Sequence, residues 1–124
     1  MKSFIQFFYR FRYAFFFASF ALLLWGIFRP TPPPDLFDSS DKVMHLIAFM
    51  GFGLISRFAF IHQPGIFIWL FLLLSAPLFE FLQHAFQPHR QFSEQDATAN
   101  VIGVMIAWII WTIVLKTKLI KNVE

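Results

Sequence analysis

Asp41 and His45 stand one helical turn apart, as do Asp96 and Asn100, while Glu80, Gln83, His84 and Gln87 follow the i, i+3, i+4, i+7 spacing of a single helix face. A carboxylate one turn from an imidazole fixes its tautomer and raises its basicity. A glutamate inside the end of an apolar run either pairs with a cation or has its proton affinity raised by desolvation. Arg90, across a proline turn from Glu80, is the natural partner.

Three chemistries fit these residue types. Arg90, Gln83 and Asn100 can recognise an anionic or amide-rich group through paired hydrogen bonds. Glu80 or His45 can serve as a general base, with Asp41 orienting His45 and Arg90 stabilising developing negative charge. His45, Glu80 and Asp96, with His84 or His89 nearby, make a nitrogen and oxygen ligand set suited to zinc or manganese. HxxH and HExxH spacings are absent, so the expected site holds no metal and no cofactor. Ser93 lacks a nucleophile-elbow motif. Plainer roles compete: Asp41 and Asp96 as helix caps, Ser93-x-x-Asp96 as an approximate capping box, and Glu80 with Arg90 as a structural clamp.

These polar residues sit in a chain of 124 residues that is 58% hydrophobic and 14% charged. Its mean hydropathy of +0.64 exceeds what a soluble core of this size hides from water, so the apolar side chains face something else. Cysteine is absent, which excludes disulfides and thiolate metal sites. The net charge of +3 raises the question of nucleic acid, but the charges lie at the ends of apolar runs, as in a membrane protein, and no nucleic-acid partner is expected.

The elements that must position the polar residues are apolar helices. Lys2, Arg10 and Arg12 precede the uncharged run 13–28, read as a retained first transmembrane helix because no small-x-small cleavage site follows. The proline-rich 29–35 is a stiff extended connector, since each proline lacks an amide donor. Asp38-Ser39-Ser40-Asp41 supplies acceptors for a helix start. His62-Gln63-Pro64-Gly65 is a turn between antiparallel helices. Pro77 precedes Glu80 by about one turn and is expected to kink its helix. The expected fold is all-α, an integral membrane four-helix bundle with short loops, one domain over 1–124 with helices at about 11–28, 41–61, 65–86 and 96–116.

Four crossings place Lys2, Arg10, Arg12, Arg57, Lys116, Lys118 and Lys121 on one side with Glu124, and Asp35, Asp38, Asp41, Glu80, Glu94 and Asp96 on the other with Arg29, Lys42 and Arg90. Positive residues stay cytoplasmic, so both termini are expected inside and the polar motifs outside. The second helix starts, the third ends and the fourth starts on that outer side. Asp41, His45, Glu80, Gln83, Asp96 and Asn100 therefore fall at one depth, where turning inward around a shared pocket is cheaper than facing lipid. Gly51, Gly53 and Gly103 with Ala107 offer small surfaces for close helix approach. Arg57 is expected to snorkel to headgroups, and the twenty phenylalanines to face lipid or pack between helices.

Asp41-Lys42-x-x-His45-x-x-Ala48-Phe49, then Glu80-x-x-Gln83, then Arg90 with Ser93 and Asp96-x-x-x-Asn100-x-x-Gly103, resemble the VanZ-like family of small bacterial membrane proteins, whose namesake is associated with resistance to the glycopeptide antibiotic teicoplanin. The resemblance covers about residues 41–110. It implies a multi-pass protein of the bacterial inner membrane whose outward pocket binds a lipid-linked cell-wall precursor or a lipoglycopeptide. Asp41, His45, Glu80, Gln83, Arg90, Asp96 and Asn100 are the expected ligand-binding residues. The expected partners are membrane lipids and such a ligand, with a homodimer compatible with four short helices. The alternative is an intramembrane acid/base or metal-assisted enzyme acting on an envelope lipid, with Glu80, His45, Asp41 and Arg90 as its machinery.

Overall fold

Long apolar runs broken by proline and glycine leave the backbone one economical way to satisfy its amides, which is to coil. In the computed structural model, which describes residues 1–30, 34–89 and 92–124, the regular structure is entirely helical. Helix α1 is Lys2–Arg10, α2 Arg12–Phe28, α3 Ser40–Ala59, α4 Gly65–Phe86 and α5 Glu94–Ile110. A π-helical segment, Trp111–Leu115, joins α5 to α6, Lys116–Val123.

Ser40–Ala59, Gly65–Phe86 and the continuous Glu94–Val123 are long and apolar enough to cross a membrane. The pair α1 and α2 makes a further span if counted as one, bent by 65° between Arg10 and Arg12. The helices expose Leu74 (71%), Phe67 (67%) and Ile113 (77%), side chains that only an apolar surrounding suits.

Two expectations about element ends are revised. The last helix, expected at about 96–116, starts at Glu94 and runs on to Val123. Ser93 Oγ accepts from the Asp96 amide at 3.2 Å, which fixes its start. Leu119, Ile120 and Val123 find apolar neighbours, so the basic tail stays helical against α1 and does not fray. Helix α3 begins at Ser40 through a tight entry: Ser39 takes a left-handed φ of 62°, and the buried Ser40 Oγ accepts from the Leu36 amide at 3.2 Å. The acidic residues around it provide no side-chain cap. Pro77 lies inside α4 without ending it.

Neighbouring α2, α3 and α4 alternate in direction, and α5 runs parallel to α3. Phe16 and Phe20 of α2 stack on Phe52 of α3 at ring separations of 5.8 and 5.9 Å. Phe49, Leu72, Val104 and Ala107 form the centre. Helices α3 and α5 approach closely. A Cβ on Gly103 would collide with the Leu46 carbonyl, and one on Gly53 would lie 3.1 Å from Ala107 Cβ. Small residues permit such contact where lipid offers no hydrophobic drive between helices.

Arg57 does not snorkel. It is buried at 7% exposure, donates from Nη1 to the Phe60 carbonyl at 2.9 Å and lies 5.1 Å from the ring of buried Trp111. The Phe60 carbonyl also accepts from the Gln63 amide at 3.0 Å, so the guanidinium adds a second, charged donor at the C-terminal end of α3.

Gly103→Ala is expected to lower the thermal midpoint of the detergent-solubilised protein, by overpacking worth about 1–3 kcal/mol. Gly51→Ala, where an added Cβ meets nothing within 4 Å, is expected to leave it unchanged or raise it. Paired melting curves followed by circular dichroism check both.

Candidate functional site

The parallel packing of α3 and α5 brings their first turns together level by level. Lys42 Nζ lies 3.6 Å from Asp96 Oδ1, and one turn deeper His45 Nδ1 lies 2.9 Å from Asn100 Oδ1. Asn100 is 1% exposed, and its other amide atom, Nδ2, donates to the Ala76 carbonyl of α4 at 3.2 Å. Because a backbone carbonyl accepts only, the amide nitrogen must face Ala76 and the oxygen must face His45. That oxygen in turn requires a proton on Nδ1. Neutral His45 therefore keeps its lone pair on Nε2.

Antiparallel α4 delivers Glu80 to the same level. Glu80 is buried at 3% exposure, and its Oε1 accepts from the Ser93 amide at 3.2 Å, in the loop that leads into α5. A ring nitrogen of His45, a carboxylate oxygen of Glu80 and one of Asp96 all lie within 4.8 Å of one another. Three helices thus contribute one titratable group each, on residues far apart in the chain. The arrangement can hold a proton between an imidazole and two carboxylates, or a cation among three donors.

Not every expected residue joins this group. Asp41 does not orient His45. Its carboxylate takes the Lys42 ammonium at 3.0 Å and stays 45% exposed, and Asn100 holds the histidine in its place. An amide in this position fixes the tautomer. Gln83 also turns away: it donates to the Ile27 carbonyl of α2 at 2.8 Å, and Gln87 donates to the Phe28 carbonyl at 2.9 Å. The last carbonyls of α2 have no helical partners because prolines follow, so the two glutamines close its C-terminus. Among the described residues His84 and His89 are exposed and fall outside the group of three. Arg90, expected to pair with Glu80, lies outside the described residues.

Spacing places Gln87 on the stripe of Glu80 without giving its role at the end of α2, and does not point to Lys42 or the Ser93 amide. Lys42 could have been found by asking which cation sits at the depth of Asp96, and Gln87 by asking what satisfies a helix that ends at prolines.

Lys42, the ion-pair partner of Asp96, also lines open space. A groove of about 450 Å³ runs between the first turns of α3 and α5, with Lys42, Glu94 and Thr98 towards its polar end and Val43, Leu46 and Ile102 along its apolar walls. Searches against models of known families, curated proteins and solved structures each returned no match.

Gln83→Leu leaves the Ile27 carbonyl buried without its donor, a loss of about 1–3 kcal/mol. Hydrogen exchange of the amides near residues 24–28 is expected to quicken in this variant, with a lower thermal midpoint. Unchanged exchange there would show that Gln83 does not hold α2.

Proposed function

We propose that this chain is a multi-pass protein of the bacterial inner membrane whose site end binds the polar head of an amphiphile. Four transmembrane helices form the bundle in this reading, the bent pair α1 and α2 counting as the first. Both termini are cytoplasmic, because Lys2, Arg10, Arg12, Lys116, Lys118 and Lys121 gather at the end opposite the site.

The observation that carries the reading is the lateral groove with Lys42 at its mouth. Its polar end lies at the starts of two helices and its walls become apolar within two turns, the profile of a headgroup joined to a lipid tail. The size lies within the range of small-ligand sites. Lys42 bridges groove and buried group, 3.0 Å from Asp41 and 3.6 Å from Asp96, so an anionic head drawn to Lys42 arrives at the Asp96 edge of that group.

The VanZ-like resemblance of the motifs supports a lipid-linked cell-wall precursor or a lipoglycopeptide as the amphiphile, and a role of the teicoplanin-resistance type. The grouping of His45, Glu80 and Asp96 favours a second reading, an intramembrane enzyme in which His45 or Glu80 moves a proton on such a lipid.

Binding of a polyprenyl diphosphate to the protein in nanodiscs is expected to weaken at least tenfold in Lys42→Ala and to survive in Lys42→Arg, measured against a neutral polyprenol of equal length. Equal binding of the charged and neutral lipids would overturn the headgroup reading. Product formed from the lipid by wild type and lost in Glu80→Gln would move the conclusion to the enzyme. A reporter fused after Glu124 is expected to be active only in the cytoplasm.

A further inference from the structure

We infer that His45, Glu80 and Asp96 are the protein ligands of a divalent cation, with zinc or manganese the fitting class. The inference deepens the proposed headgroup site and rests on reading this end of the bundle as the binding end. One imidazole nitrogen and two carboxylate oxygens make a mixed donor set of the kind these ions take. The three donors already lie within 4.8 Å of one another, whereas ligands at about 2.1 Å from a tetrahedral ion stand roughly 3.4 Å apart. Small rotations of the side chains close that difference.

Two independent features point to a cation. Asp96 Oδ1 is buried and accepts no hydrogen bond; Lys42, its near cation at 3.6 Å, lies closer to Asp41 at 3.0 Å. Lys42 meets that oxygen at ion-pair distance without a hydrogen bond, so a closer ligating partner is still open to it. The second feature is the tautomer. Nδ1 of His45 is committed to Asn100, itself anchored to the Ala76 carbonyl, which leaves Nε2 as the ligating atom with a partner behind it. Ligating histidines almost always carry such a second contact on the other nitrogen.

The HxxH and HExxH motifs supply two ligands from one helix, and their absence argued for a metal-free site. Here each ligand comes from a different helix, an arrangement that no local motif records. Three protein ligands leave a position open, and a phosphate or carboxylate oxygen of a headgroup in the groove beside Lys42 is the chemistry that would fill it.

The test is a Co²⁺ titration of the full-length protein in nanodiscs after chelator treatment, followed by Zn²⁺ and Mn²⁺ competition. Wild type is expected to saturate at one equivalent with the visible d–d bands of a low-coordinate site. Asp96→Asn and His45→Gln are each expected to weaken binding at least tenfold, and the double variant His84→Ala, His89→Ala to bind as wild type does. Circular dichroism of each variant separates a lost ligand from a lost fold, and the wild-type titration stands without any variant. No saturable one-equivalent signal in wild type, or equal affinity in folded Asp96→Asn, overturns the cation site. Lipid binding that persists in chelator with no metal response would sink the cation while leaving the headgroup reading intact. One bound ion with no lipid binding would do the reverse.

Discussion

The bundle depends on the side-chain amide of Asn100. It is fully buried, and each of its two polar atoms meets a different helix: the oxygen faces His45 of α3 and the nitrogen donates to Ala76 of α4. In a medium that offers no water, an amide of this kind has few other ways to be satisfied, so it ties three helices into one register. The approach of α5 to α3 at Gly103, one turn deeper, is the steric half of the same constraint. Widening that contact by a methyl group would pull Asn100 from the imidazole.

Everything polar at this end follows from that register. With α5 pinned, Asp96 must lie beside Lys42, and the loop before it must present the Ser93 amide to Glu80. The polar groups lie outward in shells, from the buried amide through imidazole and carboxylates to the half-exposed Lys42 and Asp41. At the opposite end the polar contacts are more exposed: Tyr9 Oη meets His62 Nε2 at 2.7 Å, and Arg12 donates to the Tyr9 carbonyl at 2.9 Å. There the buried Arg57 closes a helix terminus, and aromatic rings from α2 fill the space between helices.

Much of this could be read from residue order. The helix runs were visible in hydropathy, and the argument that apolar surroundings drive polar faces inward applies to His45, Glu80, Asp96 and Asn100 together. What stayed hidden were choices among partners. Gln83 shares a helix stripe with Glu80, but a rotation of about 60° around the helix separates them, enough to point one at α2 and the other at α5. Asp41 sits a turn from His45, yet Lys42 beside it offers a full charge and Asn100 reaches the imidazole first. Spacing tells which residues share a face; it does not rank the neighbours that compete for each atom. The tail after residue 115 misled for another reason: its lysines read as an ending, although the apolar residues between them continue a helix stripe.

The continuous Glu94–Val123 helix has 30 residues beside neighbours of 20 and 22, so at about 1.5 Å per residue it overreaches them by some 12–15 Å. That overhang, with α1 packed against it, forms a basic foot that would meet the lipid headgroups on the cytoplasmic side in the orientation proposed above. In that orientation a thinner bilayer would leave the foot farther from the phosphates, and a thicker one would draw the π-helical joint at Trp111–Leu115 into hydrocarbon.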